Sequence, residues 1–474
     1  MKNTFRTAIG ILILLGSFLV KAQNFEGSWT GAIQGMPLVF EISNNEGSYT
    51  AKMQSPKQSK AFLPMDSTIV KGNTIKLVLN AYKIKYQGEL SEEKVNGTFT
   101  QGTYSEAMIL EKKAYVEVKP NRPQEPKAPF PYKSEEVFFT NQWINPGGDV
   151  TSIQLAGTLT LPTDVKNPPV AILISGSGPQ DRNEELFNHK PFLVIADYLT
   201  KKGIAVLRYD DRGVAKSQGT QVGANSFDFA SDVEAAITYL KTRNDINRNE
   251  IGLIGHSEGG LIAPIVIANN KNDVAFFVSL AGTGLKGDRV VLPQMRKGAM
   301  LRGELEADIN ADMEIMKALF DKIIEADGVN IPQEALAQQL EIRLREKCKN
   351  ATPVIQAKYQ EPTIKALAKE FSNNWFRTFL TYDPAVNLSK VTCPVLAING
   401  SLDYQVIAAS NLDGMKSAFA KAENKDVTIK ELPGLNHLFQ NAVTGSAVEY
   451  GQIEETFDPA TLELIASWIN ERFN

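Results

Sequence analysis

The run Ile251-Gly-Leu-Ile-Gly-His-Ser-Glu-Gly-Gly260 changes character at its middle. Ile251 to Gly255 is an apolar, strand-like stretch, and Gly259 to Asn270 continues with the spacing of a buried helix. At that junction Gly255-x-Ser257-x-Gly259 fits a nucleophile elbow, a strained strand-to-helix turn that lifts a serine hydroxyl above the edge of a sheet. Glycines at both outer positions let the chain turn without side chains colliding.

Working outward, further apolar and mostly β-branched runs occur at Val170 to Ser175, Ile204 to Leu207, Val274 to Leu280, Pro394 to Asn399 and Asp426 to Leu432. Such runs mark strands buried on both faces. Helical patterns at Pro191 to Lys202, Phe227 to Arg243 and Thr461 to Phe473 separate most of them, so the class is α/β, a mostly parallel sheet flanked by helices. From Gly284 to about Pro384 strand signals give way to Leu, Ala, Glu and Lys. An insertion of roughly 100 residues is too long for a loop and predicts a helical cap over one end of the sheet, with a decoration that touches no substrate as the alternative.

A serine hydroxyl needs a base within hydrogen-bond reach. The chain has three histidines, at 189, 256 and 437. His256 adjoins the nucleophile and is aimed elsewhere by the elbow, which leaves it a packing role; His189 lies early. His437 follows the last strand in a Pro/Gly loop, Leu432-Pro-Gly-Leu-Asn-His437, and is the expected base. Its carboxylate partner is expected at Asp403 in Gly400-Ser-Leu-Asp403, with Asp383 as the rival. For the oxyanion, the expected donors are the backbone N–H groups of Glu258 and of Ser177, with Gly178 next. Asp181 and Arg182, with Gly178, are candidates for substrate contact, against a purely structural role in the loop. Asp211 and Arg212 are expected to lock a turn through a buried ion pair. The Gly-rich loop lacks the Lys-Ser/Thr of a phosphate-binding motif, so no nucleotide is expected. No metal or organic cofactor is required.

Ahead of this region, residues 1–22 read as a signal peptide: a charged start, an apolar stretch from Ala8 to Val20 and a small-residue cut after Ala22. The stretch is short for a bilayer core of roughly 30 Å, and no cysteine near the cut can carry a lipid. The expectation is an exported protein, periplasmic or secreted and soluble, without a stable membrane anchor. Residues 23–116 show short alternating runs punctuated by Gly, Asn and Ser, the pattern of a small antiparallel barrel or sandwich. Prolines at 120, 123, 126, 129 and 131 make residues 117–132 a semi-extended linker, and residues 133–474 the α/β domain. Charge is balanced, 50 Lys+Arg against 54 Asp+Glu, with no basic block, which argues against nucleic acid as a partner. Export permits a Cys348–Cys393 disulfide; two free buried thiols are the plainer alternative.

Five strings together carry a resemblance: Ser175-Gly-Ser-Gly-Pro-Gln-Asp-Arg182, Tyr209-Asp-Asp-Arg-Gly213, Gly255-His-Ser-Glu-Gly-Gly260, Gly400-Ser-Leu-Asp403 and Gly434-Leu-Asn-His437. Residues 133–474 resemble an α/β-hydrolase of the serine aminopeptidase S33-like group, with the pattern of bacterial carboxylesterases of the EstD type. Gly27-Ser-Trp-Thr-Gly31 resembles the opening of the small β-barrel that precedes the hydrolase domain in some exported bacterial esterases. The resemblance implies a serine esterase for short to medium acyl esters, with a cap inserted after the sixth strand. It departs from many lipases in having Ser175 where they carry His. Two alternatives stand beside it: an aminopeptidase-like amide hydrolase using the same three residues, and an inert lipid- or glycan-binding protein.

Overall fold

A computed structural model describes residues 24–473, apart from 34–35, 57–60, 103, 117–120, 145–147, 271–272 and 330. The expected signal peptide lies outside the described residues. The chain divides between Lys119 and Pro120 into two compact units.

The first unit is one antiparallel sheet built from β1 (Gly27–Ile33), β2 (Met36–Asn45), β3 (Ser48–Gln54), β4 (Leu63–Pro64), β5 (Ser67–Lys71), β6 (Thr74–Leu79), β7 (Ile84–Ser91), β8 (Lys94–Gln101) and β9 (Tyr104–Lys112). The order is β4-β3-β2-β1-β9-β8-β7-β6-β5, and β3 approaches β5 at the open seam, so the sheet curls into a half-barrel rather than splitting into a sandwich. Alternation drives the curl: Ile84, Tyr86 and Leu90 of β7 point inward to Trp29, Phe40 and Leu110, while Lys85 and Gln87 point out. The buried Tyr86 hydroxyl is satisfied by donating to Val95 O at 2.9 Å and Met108 O at 3.1 Å.

The second unit carries an eight-stranded sheet: β10 (Lys133–Ile144), β11 (Val150–Leu161), β12 (Val170–Ile174), β13 (Ala205–Tyr209), β14 (Ile251–His256), β15 (Phe276–Leu280), β16 (Val395–Gly400) and β17 (Val427–Leu432). Its order is β10-β11-β13-β12-β14-β15-β16-β17; β11 pairs antiparallel with both β10 and β13, and the remaining pairs are parallel. Neighbouring residues on one strand feed opposite cores. Ile172, Leu253 and Phe277 face α2 (Ser226–Lys241), α3 (Gly259–Asn269) and α11 (Ala408–Lys421), whereas Leu173, Ile254 and Phe276 face α1 (Pro191–Lys201) and α13 (Pro459–Phe473). Each such fully buried side chain contributes about 1.5–3 kcal/mol. This is the α/β-hydrolase fold.

Between β15 and β16, the sixth and seventh strands of this sheet, helices α4 (Gly287–Leu301), α5 (Glu306–Glu325), α6 (Gln333–Cys348), α7 (Pro353–Lys358), α8 (Glu361–Phe371), α9 (Asn374–Thr381) and α10 (Ala385–Leu388) intervene. They hold a core of their own around Phe320, Leu336, Leu340 and Phe371. Gly287 packs so closely on Phe379 that a Cβ there would collide with the Phe379 carbonyl, so the first and last long segments of the insertion touch.

The proline-rich stretch differs from a free linker over its described part. Arg122 donates to Asn188 O at 2.9 Å, Ile453 O at 2.7 Å, Gly451 O at 3.0 Å and Phe187 O at 3.2 Å. Gln124 bonds Phe457 O and the amides of Thr456 and Phe457. A guanidinium surrounded by carbonyls turns this segment into a strap on the second unit. Cys348 and Cys393 are free thiols, not a disulfide.

Candidate active site

The carboxyl ends of β12, β14, β16 and β17 open on one edge of the sheet, where open α/β sheets bind ligands. Ser257 leaves β14 with φ 51°, left-handed geometry that a serine adopts only under constraint. The constraint is visible: Ser257 N donates to Leu280 O at 2.9 Å, and a Cβ on Gly255 would strike the Gly259 carbonyl. Any larger residue at 255 would prise the strand from the helix.

His437 follows β17. Asn436, fully buried, holds its loop by accepting from the amides of Leu438 and Gln440, each at 3.0 Å. His437 Nδ1 lies 2.7 Å from Asp403 Oδ2, and Asp403 Oδ1 accepts from the amides of Gln405 at 2.8 Å and Val406 at 2.9 Å. Both residues are buried. A carboxylate pinned this way fixes the tautomer with its proton on Nδ1 and leaves Nε2 as the free, basic nitrogen. Asp383 instead accepts from the Ala385 amide at the start of α10.

Ser257 and His437 line one cavity of about 300 Å³. Gly176 and Ser177 form its floor beside the serine, and the helical insertion supplies Val290, Trp375, Phe376 and Phe379. Gly176 is close enough to Ser257 that a Cβ on it would sit 3.2 Å from the Ser257 Cβ. Its N–H is committed to Glu184 Oε1 at 2.7 Å, which leaves the amide of Ser177 as the next one along the loop.

Gly178, Asp181 and Arg182 are outside the lining. Arg182 is spent on Asp210, at 2.7 Å from Nη2 to Oδ2, and on the Gly157 carbonyl at 2.8 Å. Asp181 accepts from the amides of Asn183 and Glu185. Arg182 is thus paired with Asp210 beyond β13, and Asp181 is held by amides of its own loop. Arg212 pairs with Asp232 of α2 at 2.7 Å. Asp211 takes Ser175 Oγ at 2.7 Å and Gln180 N at 3.0 Å, bracing both ends of the Gly-rich loop, and burial pushes its carboxyl up to about 8.

Two groups at the site had no sequence signal. Glu184 comes from a loop with no regular pattern. Trp375 sits in an aromatic-rich helix that reads as core. Its indole N–H donates to Glu258, whose buried carboxyl also accepts from Ser226 Oγ at 2.6 Å and from Ser177; burial holds that carboxyl above its usual range. His189 is a core histidine, between Thr456 Oγ1 at 2.9 Å and Tyr450 O at 2.8 Å.

Comparison with known proteins adds the family. The profile described as serine aminopeptidase, S33, matches residues 190–442, more than half of the chain. The chain belongs to the serine aminopeptidase S33 family. This S33 chain is 26% identical over 322 residues to Esterase EstD of Thermotoga maritima, covering 68% of its own length and 66%, just under two thirds, of the esterase. Among solved structures, the α/β hydrolase GrgF of Penicillium sp. sh18 is 17% identical with a TM-score of 0.42, over 72% of the S33 chain and 99% of the other. An esterase of Pyrococcus furiosus is 16% identical with a TM-score of 0.41, over 76% and 100% of the two chains. The S33 profile spans Ser257, Asp403 and His437, and its boundaries enclose the whole helical insertion.

Proposed function

We propose that the protein is a serine carboxylesterase acting on short to medium acyl esters through Ser257, His437 and Asp403. The observation that carries this reading is the 2.7 Å contact between His437 Nδ1 and Asp403 Oδ2 behind a cavity that Ser257 shares. Ser257 Oγ attacks the ester carbonyl while His437 Nε2 takes its proton, and Asp403 stabilises the imidazolium. The amides of Ser177 and Glu258 receive the oxyanion, the second of them at the N-terminus of α3. His437 returns the proton to the leaving alcohol, then activates a water that releases the acid.

The ester reading is favoured over the amide one by the walls of the cavity. A free amino terminus calls for an unspent carboxylate. Among the described residues lining the cavity the sole acid is Glu184, already engaged by Gly176 N and His256. Glu304 and Glu306 of the insertion pair with Arg302 and Arg296. Val290, Phe376 and Phe379 suit an uncharged acyl chain, which makes the insertion a cap.

The test is labelling by a fluorophosphonate probe and turnover of p-nitrophenyl butyrate beside an aminoacyl-amide series. Wild type should label and prefer the ester, and Ser257→Ala should lose both labelling and about 10⁶ in kcat. Wild-type hydrolysis by Ser257→Ala would overturn the assignment, preference for aminoacyl amides would restore the peptidase reading, and absence of labelling would favour an inert binding protein.

A further inference from the structure

His256 stands beside the nucleophile, lines the same cavity and is buried, 7% exposed as a residue. Its Nδ1 lies 2.9 Å from Glu184 Oε1 and its Nε2 lies 3.0 Å from the His437 carbonyl. Both partners are acceptors. A neutral imidazole owns one N–H, so satisfying both requires the doubly protonated ring. Burial alone opposes that charge, but the charge and hydrogen bond of Glu184 outweigh it and hold His256 above the usual histidine range.

Glu184, itself held in left-handed geometry at φ 51°, also accepts the Gly176 N–H on Oε1 at 2.7 Å. A single chain of bonds therefore runs from Gly176, through Glu184 and His256, to the backbone of His437. Gly176 precedes Ser177 in the loop assigned to the oxyanion, and His437 is the assigned base. These two parts arise from β12 and β17, distant in sequence and at non-adjacent positions in the sheet. The rings of His256 and His437 are 4.8 Å apart, so any shift of one is felt by the other.

We infer that the His256–Glu184 pair is a positioning device for acyl transfer, holding the oxyanion loop and the base loop in register across the elbow. The inference rests on the esterase reading. The pair touches no reacting atom; it acts by keeping Ser177 N and His437 Nε2 at a fixed separation, where a displacement of about 1 Å costs on the order of 10² in rate.

Two variants test it. His256→Phe fills the ring's volume but breaks both bonds; Glu184→Gln keeps an oxygen for Gly176 and His256 while removing the negative charge. Rates are normalised to sites titrated by the fluorophosphonate probe, so unfolded protein does not enter kcat. His256→Phe should lower kcat about 10²-fold with KM within about threefold. Glu184→Gln should approach wild-type kcat at low pH and lose it earlier than wild type as pH rises, because the second proton of His256 is held less firmly. The ionisable groups facing His256 are Glu184 and His437, with Asp403 behind. If both variants keep wild-type kcat per titrated site and the wild-type alkaline limb, the pair is only a stabilising contact and the inference is wrong, whatever happens to their melting temperatures. A wild type that neither labels nor hydrolyses esters removes the inference together with the esterase reading.

Discussion

The indole N–H of Trp375 lies 2.9 Å from Glu258 Oε1, joining the helical insertion to the residue directly after the nucleophile. Trp375→Phe keeps the ring that stacks on Phe379 and removes this donor. The Glu258 carboxyl is raised by burial, against hydrogen bonds from Ser226, Trp375 and Ser177. A raised carboxyl contributes stability that is full below its unfolded value and is lost as pH climbs through the folded value. Without the indole donor the folded value rises further, so the deficit of the variant should grow with pH. Urea unfolding should give a loss of about 1–3 kcal/mol at pH 8 and a smaller one at pH 5. A deficit that shrinks with pH would contradict the role given to the indole.

Asp403 divides its oxygens between two backbone amides and His437. In Asp403→Asn the side-chain oxygen stays on the amides and the NH₂ faces His437 Nδ1, which forces the ring proton onto Nε2. The base is then occupied. A fall of about 10⁴ in kcat is expected with little change in melting temperature. A fall of less than about tenfold would exclude Asp403 as the orienting acid.

Val290 is buried on the insertion side of the cavity. Val290→Phe takes room from the acyl chain equivalent to about two or three methylenes at ~0.8 kcal/mol each, so kcat/KM for octanoyl esters should drop roughly 15- to 50-fold relative to acetyl esters. An unchanged chain-length profile would place the acyl group elsewhere.

Arg122 supports two loops at once, Phe187–Asn188 and Gly451–Ile453. Arg122→Ala strands several carbonyls and should cost about 2–3 kcal/mol in urea unfolding of the full chain. A change under about 0.5 kcal/mol would mean that water replaces the guanidinium without penalty.

The parallel core was legible because strands buried on both faces are continuous apolar runs: β12, β14, β15 and β16 are buried throughout. The hairpin of β10 and β11 was not assigned, since an antiparallel edge alternates, with Phe138 at 46% exposure beside Phe139 at 4%. Ser257 could be placed at the carboxyl edge because it adjoins a strand buried throughout; His437 adjoins β17, read as buried on both faces but in fact an edge strand with no fully buried residue. Glu184 could not, as its partner His256 is 72 residues away and nothing in the intervening spacing ties them. For the same reason the sequence leaves a substrate contact for Asp181 and Arg182 open beside a structural role in the loop: Asp210 is 28 residues from Arg182, and no spacing ties the two.

The touching ends of the insertion, at Gly287 and Phe379, have an engineering meaning. A segment that enters and leaves through nearly the same point, and carries its own hydrophobic nucleus, behaves as a cassette. Exchanging it should recast the range of acids accepted while the sheet stays as it was, provided the new segment restores the Trp375 donor to Glu258.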